Sequence, residues 1–543
     1  MKKILLLLIF STAVLFVLHG QQTFNKRLHF GYPAAVLTSV VATDSCIYAT
    51  GVIADSVYPY KVGTLFAKFD LEGNVVFQKA ITNQNKSYEA WANTLIPLED
   101  GGFALSGYLV DTLMKVIFIR YDSAGDPQFI KEYFNPYYPI KDFLRPNDMK
   151  QTPDGGFVMV NWMGTPSSEN KSTQVSVLKI DSLGNMQWHK VYGNNLRERP
   201  ESILVESNGD IIIGAVRGNN NLVLEDYTYQ TWIFSLTSQG DLKWTYLSPL
   251  NLLRDAANDM ALLPDGSLLV ASGVGTEYPR PSVNVVWYEK YFFILDTGHE
   301  LEWSVEILGD HPTSYTKLEA VVALEDQSGF VGIGISPKPD PVDENWGMFG
   351  WIGKISPSGG ILWEREYTSL TNNIFTNRPF SIKETSDHGF IIVGESFDKT
   401  YQDSIPQQAW LLKVDEYGCL VPGCQLVGTK EVPGRPSVIL KPYPNPAMDE
   451  LFIFFKAPSS GSYRFQIIDD MGRIVKEFST DSSEMTFILD VSQWAAGIYF
   501  LQCRDEEGRV VSKVIEVVEK LRVESDSKAE TTLLSRKPNH SQL

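Results

Sequence analysis

The chain has 543 residues, 43% of them hydrophobic and 12% aromatic, with a formal charge of −18. That length exceeds one ordinary domain and suits two or three, and the apolar content is ample for a large core. The acidic balance argues against nucleic-acid and anionic-membrane binding, which need a basic surface, and leaves a soluble, self-repelling surface open to associated cations.

Residues 1–20 read as a signal peptide: Lys2 and Lys3 form the positive region and Ile4 to Leu18 the apolar core. The run is short for a spanning helix, so cleavage before Gln21 is expected. No later stretch is apolar for long enough to span a bilayer, so the mature chain is expected without a transmembrane segment.

Met149 to Gly193 then reads as two consecutive hairpins, because apolar and polar residues alternate on either side of Asp154-Gly155-Gly156 and of Asp181-Ser182-Leu183-Gly184-Asn185. The second turn recurs with glycines at Gly73, Gly125, Gly184, Gly240, Gly298, Gly359 and Gly418, at steps of roughly 50 to 60 residues. An aromatic follows four residues later as Phe77, Phe129, Trp188, Trp244 and Trp363; Trp303 is displaced by one residue, and Pro422 takes the last place. The first turn recurs at Asp100-Gly101-Gly102, Asn208-Gly209-Asp210, Asp265-Gly266-Ser267, Asp326-Gln327-Ser328-Gly329 and Asp387-His388-Gly389, with a degenerate copy at Asp44-Ser45-Cys46. A period of this size with four strands and no helix suits a propeller blade, and seven blades close a ring. An open solenoid would need polar capping repeats, and none is evident. The recurring aspartates read as turn formers, and the recurring aromatics as packing between blades rather than carbohydrate platforms.

The last copy breaks off at Gly418-Cys419-Leu420-Val421-Pro422-Gly423-Cys424, where its fourth strand should be. The missing pattern resembles Phe24-Asn25-Lys26-Arg27-Leu28-His29-Phe30, which is expected to pair as the outer strand of the seventh blade and leave no open edge; a flexible leader is the rival. Cys419 and Cys424 are expected to form a local disulfide in an exported protein, while Cys46 and Cys503 read as buried thiols. Residues 425–442 have a linker composition, with Pro433, Gly434, Pro436 and Pro442. Alternating strands follow at Leu451 to Phe455, Tyr463 to Ile468, Phe487 to Leu489, Gly497 to Gln502 and Val510 to Val518. Their spacing fits an immunoglobulin-like β-sandwich. The expected fold class is therefore all-β, a seven-bladed β-propeller over 21–424 followed by that sandwich.

Tyr443-Pro444-Asn445-Pro446, Asp470-Met471-Gly472-Arg473, Leu489-Asp490-Val491 and Ala496-Gly497-Ile498-Tyr499 stand in an order that resembles the C-terminal sorting domain of type IX secretion cargo, from Lys441 to about Lys520. The resemblance implies Tyr443, Pro444, Asn445, Pro446, Gly472, Gly497 and Tyr499 as sorting-motif residues in a domain over 443–520. It implies the type IX machinery as a partner, and a location outside a Gram-negative cell, secreted or on the outer-membrane surface. Members of the family usually end near the last strand, whereas this chain continues through a polar tail, 521–543, expected to be disordered. The Gly418–Cys424 element also resembles the junction ahead of such domains. Asp111-Thr112, Asp122-Ser123, Asp181-Ser182 and Asp403-Ser404 resemble the O-glycosylation sequence of such exported proteins.

No catalytic set is legible: the seven histidines form no H-E-x-x-H, and no G-x-S-x-G elbow exists. No metal site and no cofactor are expected. The longest second-to-third strand loops, 219–229, 273–287 and 336–346, carry Tyr227, Tyr229, Tyr278, Arg280, Trp287, Asp340, Asp343 and Trp346. Mixed aromatic and charged residues on converging loops suit a binding surface for a glycan or protein. The leading expectation is a non-enzymatic binding module. The rivals are a glycan- or peptide-degrading enzyme using acidic residues on the long-loop face, and a structural surface-layer component. An enzyme would show carboxylates about 5 to 10 Å apart in a central funnel, with raised pKa values. A funnel plugged by apolar side chains would favour binding through the loops.

Overall fold

The computed structural model describes residues 22–55, 61–91, 94–111, 114–134, 144–164, 173–194, 197–218, 229–249, 253–254, 256–279, 284–307, 316–339, 346–370, 375–400, 405–421, 424, 439–444, 447–457, 461–469, 473–504 and 510–518. The chain forms two compact units, Met1–Gln425 and Leu426–Leu543.

In the first unit the strands pair antiparallel with their chain neighbours in groups of four. Ala34–Ala42, Ile47–Ala54, Val62–Phe69 and Val75–Ile81 make the first group. In the second, Ser87–Glu89 and Ile96–Pro97 share the inner position beside Phe103–Val110, Met114–Tyr121 and Pro127–Tyr133. The third runs Leu144–Gln151, Phe157–Gly164, Thr173–Ile180 and Met186–Tyr192; the fourth Arg199–Val205, Ile211–Gly218, Tyr229–Leu236 and Leu242–Leu247. In the fifth, Leu253–Arg254 and Asp259–Leu262 precede Leu268–Pro279, Asn284–Leu295 and Leu301–Ile307. The sixth is Lys317–Ala323, Phe330–Pro339, Trp346–Ile355 and Ile361–Tyr367. The seventh has Phe375–Glu384, Phe390–Asp398 and Gln407–Val414 from its own stretch of chain, and its fourth strand is Phe24–Leu28, in register Phe24↔Lys413 to Leu28↔Ala409. Central strands such as Phe157–Gly164 are buried on both faces and read as apolar runs, whereas outer strands such as Val75–Ile81 alternate between exposed and half-buried.

The second turns explain how each group meets the next. Their tip residues have φ between +65° and +85°, a left-handed conformation that glycine adopts without strain. The outer-strand aromatic of the preceding group lies on that tip: a Cβ at Gly73 would stand 2.6 Å from Phe24, at Gly125 2.9 Å from Phe77, and at Gly418 2.7 Å from Trp363. Tyr133 and Tyr192 donate their hydroxyls to the carbonyls of Gly184 and Gly240, at 2.7 and 2.6 Å. These contacts carry the aromatics expected between repeats, and Phe24 on Gly73 joins the seventh group to the first. The fifth copy departs from the expected glycine. Its left-handed residue is His299, φ 65°, and not Gly298. Counted from His299, Trp303 is four residues on, in phase with the other copies. His299 also stacks on Trp244, with ring centroids 3.8 Å apart and planes at 26°.

Among the first turns, Gln327 (φ 59°) and His388 (φ 61°) hold the position that Gly101, Gly155, Gly209 and Gly266 hold elsewhere. Left-handed backbone costs a side-chain-bearing residue roughly 1–2 kcal/mol, against roughly 0.5–1 kcal/mol of extra chain entropy for glycine. Gln327 is exposed, so Gln327→Gly is expected to stabilise by about 0.5–1 kcal/mol, read as a higher urea midpoint. His299→Gly would lose its stack on Trp244 and is expected to leave the midpoint unchanged. The aspartates before these residues are tied into the turn. Asp154 accepts from the Gly156 N–H at 3.0 Å and binds Lys179 at 2.9 and 3.0 Å. Burial would raise its pKa, but Thr152, Lys179 and the Gly156 N–H outweigh it and hold the carboxyl at about 2.

Two expected loops are largely strand. Residues 273–279 and 284–287 continue the ladder as far as Pro279↔Asn284, and Ser336–Pro339 pair with Trp346–Phe349. Backbone pairing carries these hairpins through the segments expected as loops. Cys419 and Cys424 are disulfide-bonded, with Cα atoms 5.7 Å apart, and Cys46 and Cys503 are buried free thiols.

In the second unit, Ile439–Tyr443, Glu450–Lys456 and Glu484–Asp490 form one sheet; Ile474–Thr480, Tyr463–Asp469, Gly497–Arg504 and Val510–Val517 form another. One core joins them, with Leu451, Ile453 and Phe455 from the first and Phe465, Ile467, Leu501 and Ile515 from the second.

Candidate functional site

The inner strands carry a common irregularity. Opposite the second strand, the register slips between Leu37 and Ser39, Pro146 and Asp148, Pro200 and Ser202, Leu318 and Ala320, and Pro379 and Ser381. Each slip is a β-bulge that frees one residue from the ladder: Thr38, Asn147, Glu201, Glu319 and Phe380. Proline precedes three of them, where its missing N–H costs no ladder bond. In the fifth group Asn258 has the matching place, its N–H donating to the same Ala271 that pairs with Asp259.

The residue after the bulge fastens the next group. Asp148 accepts from the Ile203 N–H at 3.1 Å, and Asp259 from that of Val321 at 3.0 Å. Ser39 accepts from the Leu95 N–H at 3.2 Å, and Ser202 donates to the Ala257 carbonyl at 2.9 Å. Asp148 is 3% exposed and is also bound by Lys150 at 2.7 and 2.8 Å. Burial pushes the Asp259 carboxyl up to about 6, against the opposing Val321 N–H bond.

The freed residues converge. A cavity of about 540 Å³ is lined by Thr38, Asn147, Glu201, Asn258, Glu319 and Phe380 together with Trp91, Tyr108, Arg145, Lys317, Arg378 and Glu395. Asn147, Glu201 and Glu319 lie in the first halves of their inner strands, and Tyr108 and Glu395 in the second halves of the strands beside them, so the cavity lies towards the end of the unit opposite the first turns. Its carboxylates are engaged. Glu319 receives Arg378 at 2.7 Å and Lys317 at 3.3 Å; burial raises its pKa, but those two cations outweigh burial and hold it low. Glu201 is bound by Arg199 and, at 3.3 Å, by the Asn147 amide. Glu395 accepts from Gln407 at 2.8 Å. Tyr108 and Trp91 both donate to one oxygen of Glu89, at 2.6 and 2.9 Å, and Arg145 lies 5.2 Å over the Tyr108 ring. The cavity is thus neither plugged by apolar side chains nor furnished, among the described residues, with two unpartnered carboxylates.

Of the residues expected on the binding surface, Tyr227, Arg280, Asp340 and Asp343 lie outside the described residues. Tyr278, Trp287 and Trp346 sit on strands, paired with Val285, Thr276 and Pro339, and their side chains lie outside what is described. Tyr229 begins its strand opposite Gly218, half-buried and away from the lining of the central cavity. The cavity residues were missed, although a signal exists: Arg145-Pro146-Asn147-Asp148-Met149, Arg199-Pro200-Glu201-Ser202-Ile203 and Arg378-Pro379-Phe380-Ser381-Ile382 repeat one pattern at the head of three inner strands.

In the second unit, Tyr499 is buried, donates its hydroxyl to the Ala495 carbonyl at 2.8 Å and packs on Trp494. Tyr443 stacks on Phe452. On either side of residues 470–472, Asp469 accepts from the Arg473 N–H at 2.8 Å and from its guanidinium at 2.7 Å. Asn445, Pro446, Asp470, Met471 and Gly472 lie outside the described residues.

Solved structures similar to the chain include a protein of unknown function from Dyadobacter fermentans, at 12% identity and TM-score 0.37, over 61% of this chain and 98% of that one. The β-propeller domain of the Trilobed protease from Pyrococcus furiosus is similar at 10% identity and TM-score 0.37, over 70% and 95%. The α-L-arabinofuranosidase Arb93A from Fusarium graminearum is similar at 11% identity and TM-score 0.38, over 59% and 92%. Residues 441–518 match the secretion system C-terminal sorting domain family. The protein is therefore type IX secretion cargo, carried by a C-terminal sorting domain and destined for secretion or the outer-membrane surface.

Proposed function

We propose that the first unit is a seven-bladed β-propeller, that the sorting domain is an immunoglobulin-like sandwich, and that the exported protein binds a sugar-sized polar ligand in its central funnel. The seven four-stranded groups support the propeller, as does the pairing of Phe24–Leu28 with the seventh. The Tyr499 hydroxyl on the backbone four residues upstream resembles the tyrosine corner of such sandwiches. The signal peptide over 1–20, the linker over 425–442 and the tail over 521–543 complete the proposed organisation.

The observation that carries the binding role is the repeated bulge. It delivers a polar or aromatic side chain from successive repeats into one cavity, beside Trp91 and Tyr108. Aromatic faces among amide, carboxylate and guanidinium groups suit a polyhydroxylated ligand, whose ring has apolar faces and a polar edge. The hairpins carrying Tyr229, Tyr278, Trp287 and Trp346 end on the same side as the cavity, and we place Tyr227, Arg280, Asp340 and Asp343 with them around its mouth. A hydrolase would need a protonated carboxyl as general acid. Glu319 is instead held low by Lys317 and Arg378, and Asp259, though burial pushes it up to about 6, has its two oxygens committed to the Val321 and Met260 N–H groups.

A glycan array probed with the full secreted chain tests this reading. Trp91→Ala and Glu201→Gln are each expected to weaken retention at least about tenfold with an unchanged circular-dichroism spectrum, a loss matching one stacking or charge-assisted contact. Undiminished retention by both variants would overturn the funnel assignment, and release of product would replace binding by catalysis.

A further inference from the structure

We infer that the funnel selects a sugar that carries a carboxylate, a hexuronic acid, with Arg145 as its anion contact; this rests on the funnel reading above. Two residues before the bulge, four inner strands carry a cation: Arg145, Arg199, Lys317 and Arg378. Three of them are occupied. Arg199 is paired with Glu201, while Lys317 and Arg378 share Glu319 at 3.3 and 2.7 Å. Arg145 differs. Among the described residues no carboxylate comes within ion-pair distance of it, and its guanidinium lies over the Tyr108 ring at 5.2 Å.

That ring is itself fixed. Tyr108 and Trp91 donate to the same Glu89 oxygen, at 2.6 and 2.9 Å, so the ring under Arg145 is braced by a carboxylate that a second aromatic side chain also holds. Stacking engages the face of a guanidinium and leaves its edge N–H groups for a planar, bidentate acceptor. A carboxylate matches that fork.

The lining adds the second requirement. Glu201, Glu319 and Glu395 stand in the same cavity as Arg145, and each carboxylate has more acceptor sites than its present partners fill. Ligand hydroxyls supply donors for them. An isolated anion would satisfy Arg145 but bring no such donor, and a neutral sugar would donate to the carboxylates but leave Arg145 without a counter-ion. A uronic acid brings carboxylate and hydroxyls on one ring.

The test is titration calorimetry of the full secreted chain with trigalacturonate and trimannuronate, each beside its fully methyl-esterified form and a sulfated neutral trisaccharide. One or both acids are expected to bind at least about tenfold tighter than their esters, and Arg145→Gln to abolish that preference while Arg145→Lys restores part of it, as expected where a bidentate fork becomes a point charge. Equal affinity for acid and ester, a preference for the sulfated sugar, or an Arg145→Gln variant that still discriminates would each overturn the inference. If a neutral saccharide binds and responds to Glu201→Gln but not to Arg145→Gln, the uronic-acid inference fails and the funnel reading stands. If no saccharide binding responds to Trp91→Ala or Glu201→Gln, both fail.

Discussion

Replacing Trp410 by alanine is expected to cost about 3–5 kcal/mol, the usual range for emptying a buried aromatic site. Trp410 is 1% exposed and lies in the strand that receives Phe24–Leu28. Its ring fills the space over Gly350 in the neighbouring group, where a Cβ would stand 2.3 Å away. Its indole N–H donates to the Asn25 side chain at 2.7 Å, and Asn25 donates onward to the Thr368 carbonyl at 2.8 Å. The closing strand is held at further points by Thr23 to the Leu420 carbonyl at 2.5 Å and by Lys26 to the Glu72 carbonyl at 2.7 Å. One substitution therefore opens a cavity between two groups and orphans an amide on the strand that joins the two ends of the chain's repeat. Trp410→Ala should lower the urea midpoint and make the first proteolytic cut fall within 22–30. Asn25→Ala, which removes only the hydrogen bonds, should cost about 1 kcal/mol. A Trp410→Ala protein with unchanged midpoint and an equally resistant N-terminal strand would show that closure does not depend on this contact.

The features legible in the sequence share a physical origin. A left-handed turn tip nearly demands glycine, and an outer strand facing solvent on one side must alternate, so Gly184, Trp188 and their equivalents stand out at a fixed spacing. Where the chain departs from that rule, the pattern misleads: His299 accepts the left-handed conformation with an aromatic partner on its ring, and Gly298 stands one residue out of phase. The strand Phe24–Leu28 was legible because an outer strand keeps its pattern wherever it stands in the chain. The cavity was not. A bulge adds one residue to a strand and so breaks the alternation that marks strands, which hid Asn147, Glu201 and Glu319 among residues read as ladder. Nor does any short window contain the site, because each repeat contributes a single freed side chain. The long loops misled for the opposite reason. Polar and aromatic residues between 273 and 287 suggest solvated loop, yet extended hairpins pair by backbone alone, and Thr276↔Trp287 is a ladder pair.

Deleting residues 441–518 is expected to abolish surface display and secretion and leave the protein in the periplasm. The segment is the part of the chain that matches the sorting family, and it carries a core of its own. Removing it takes no buried residue from the first unit, whose cores are drawn from residues 30–414. A sharper version keeps the chain at full length. Phe465 is fully buried and meets three other rings, Phe455, Phe478 and Phe487, with centroids 4.9 to 5.1 Å away. Phe465→Ala should cost about 3–5 kcal/mol, a large share of what a domain of this size has to lose. If the machinery reads the folded sandwich, Phe465→Ala should stop export as the deletion does while the first unit, purified from the periplasm, keeps the wild-type unfolding midpoint. Surface accessibility to added protease separates the outcomes. Normal display of the deletion would remove the sorting role from this domain. Normal display of Phe465→Ala beside a trapped deletion would show instead that recognition rests on a short exposed segment and not on the packed domain.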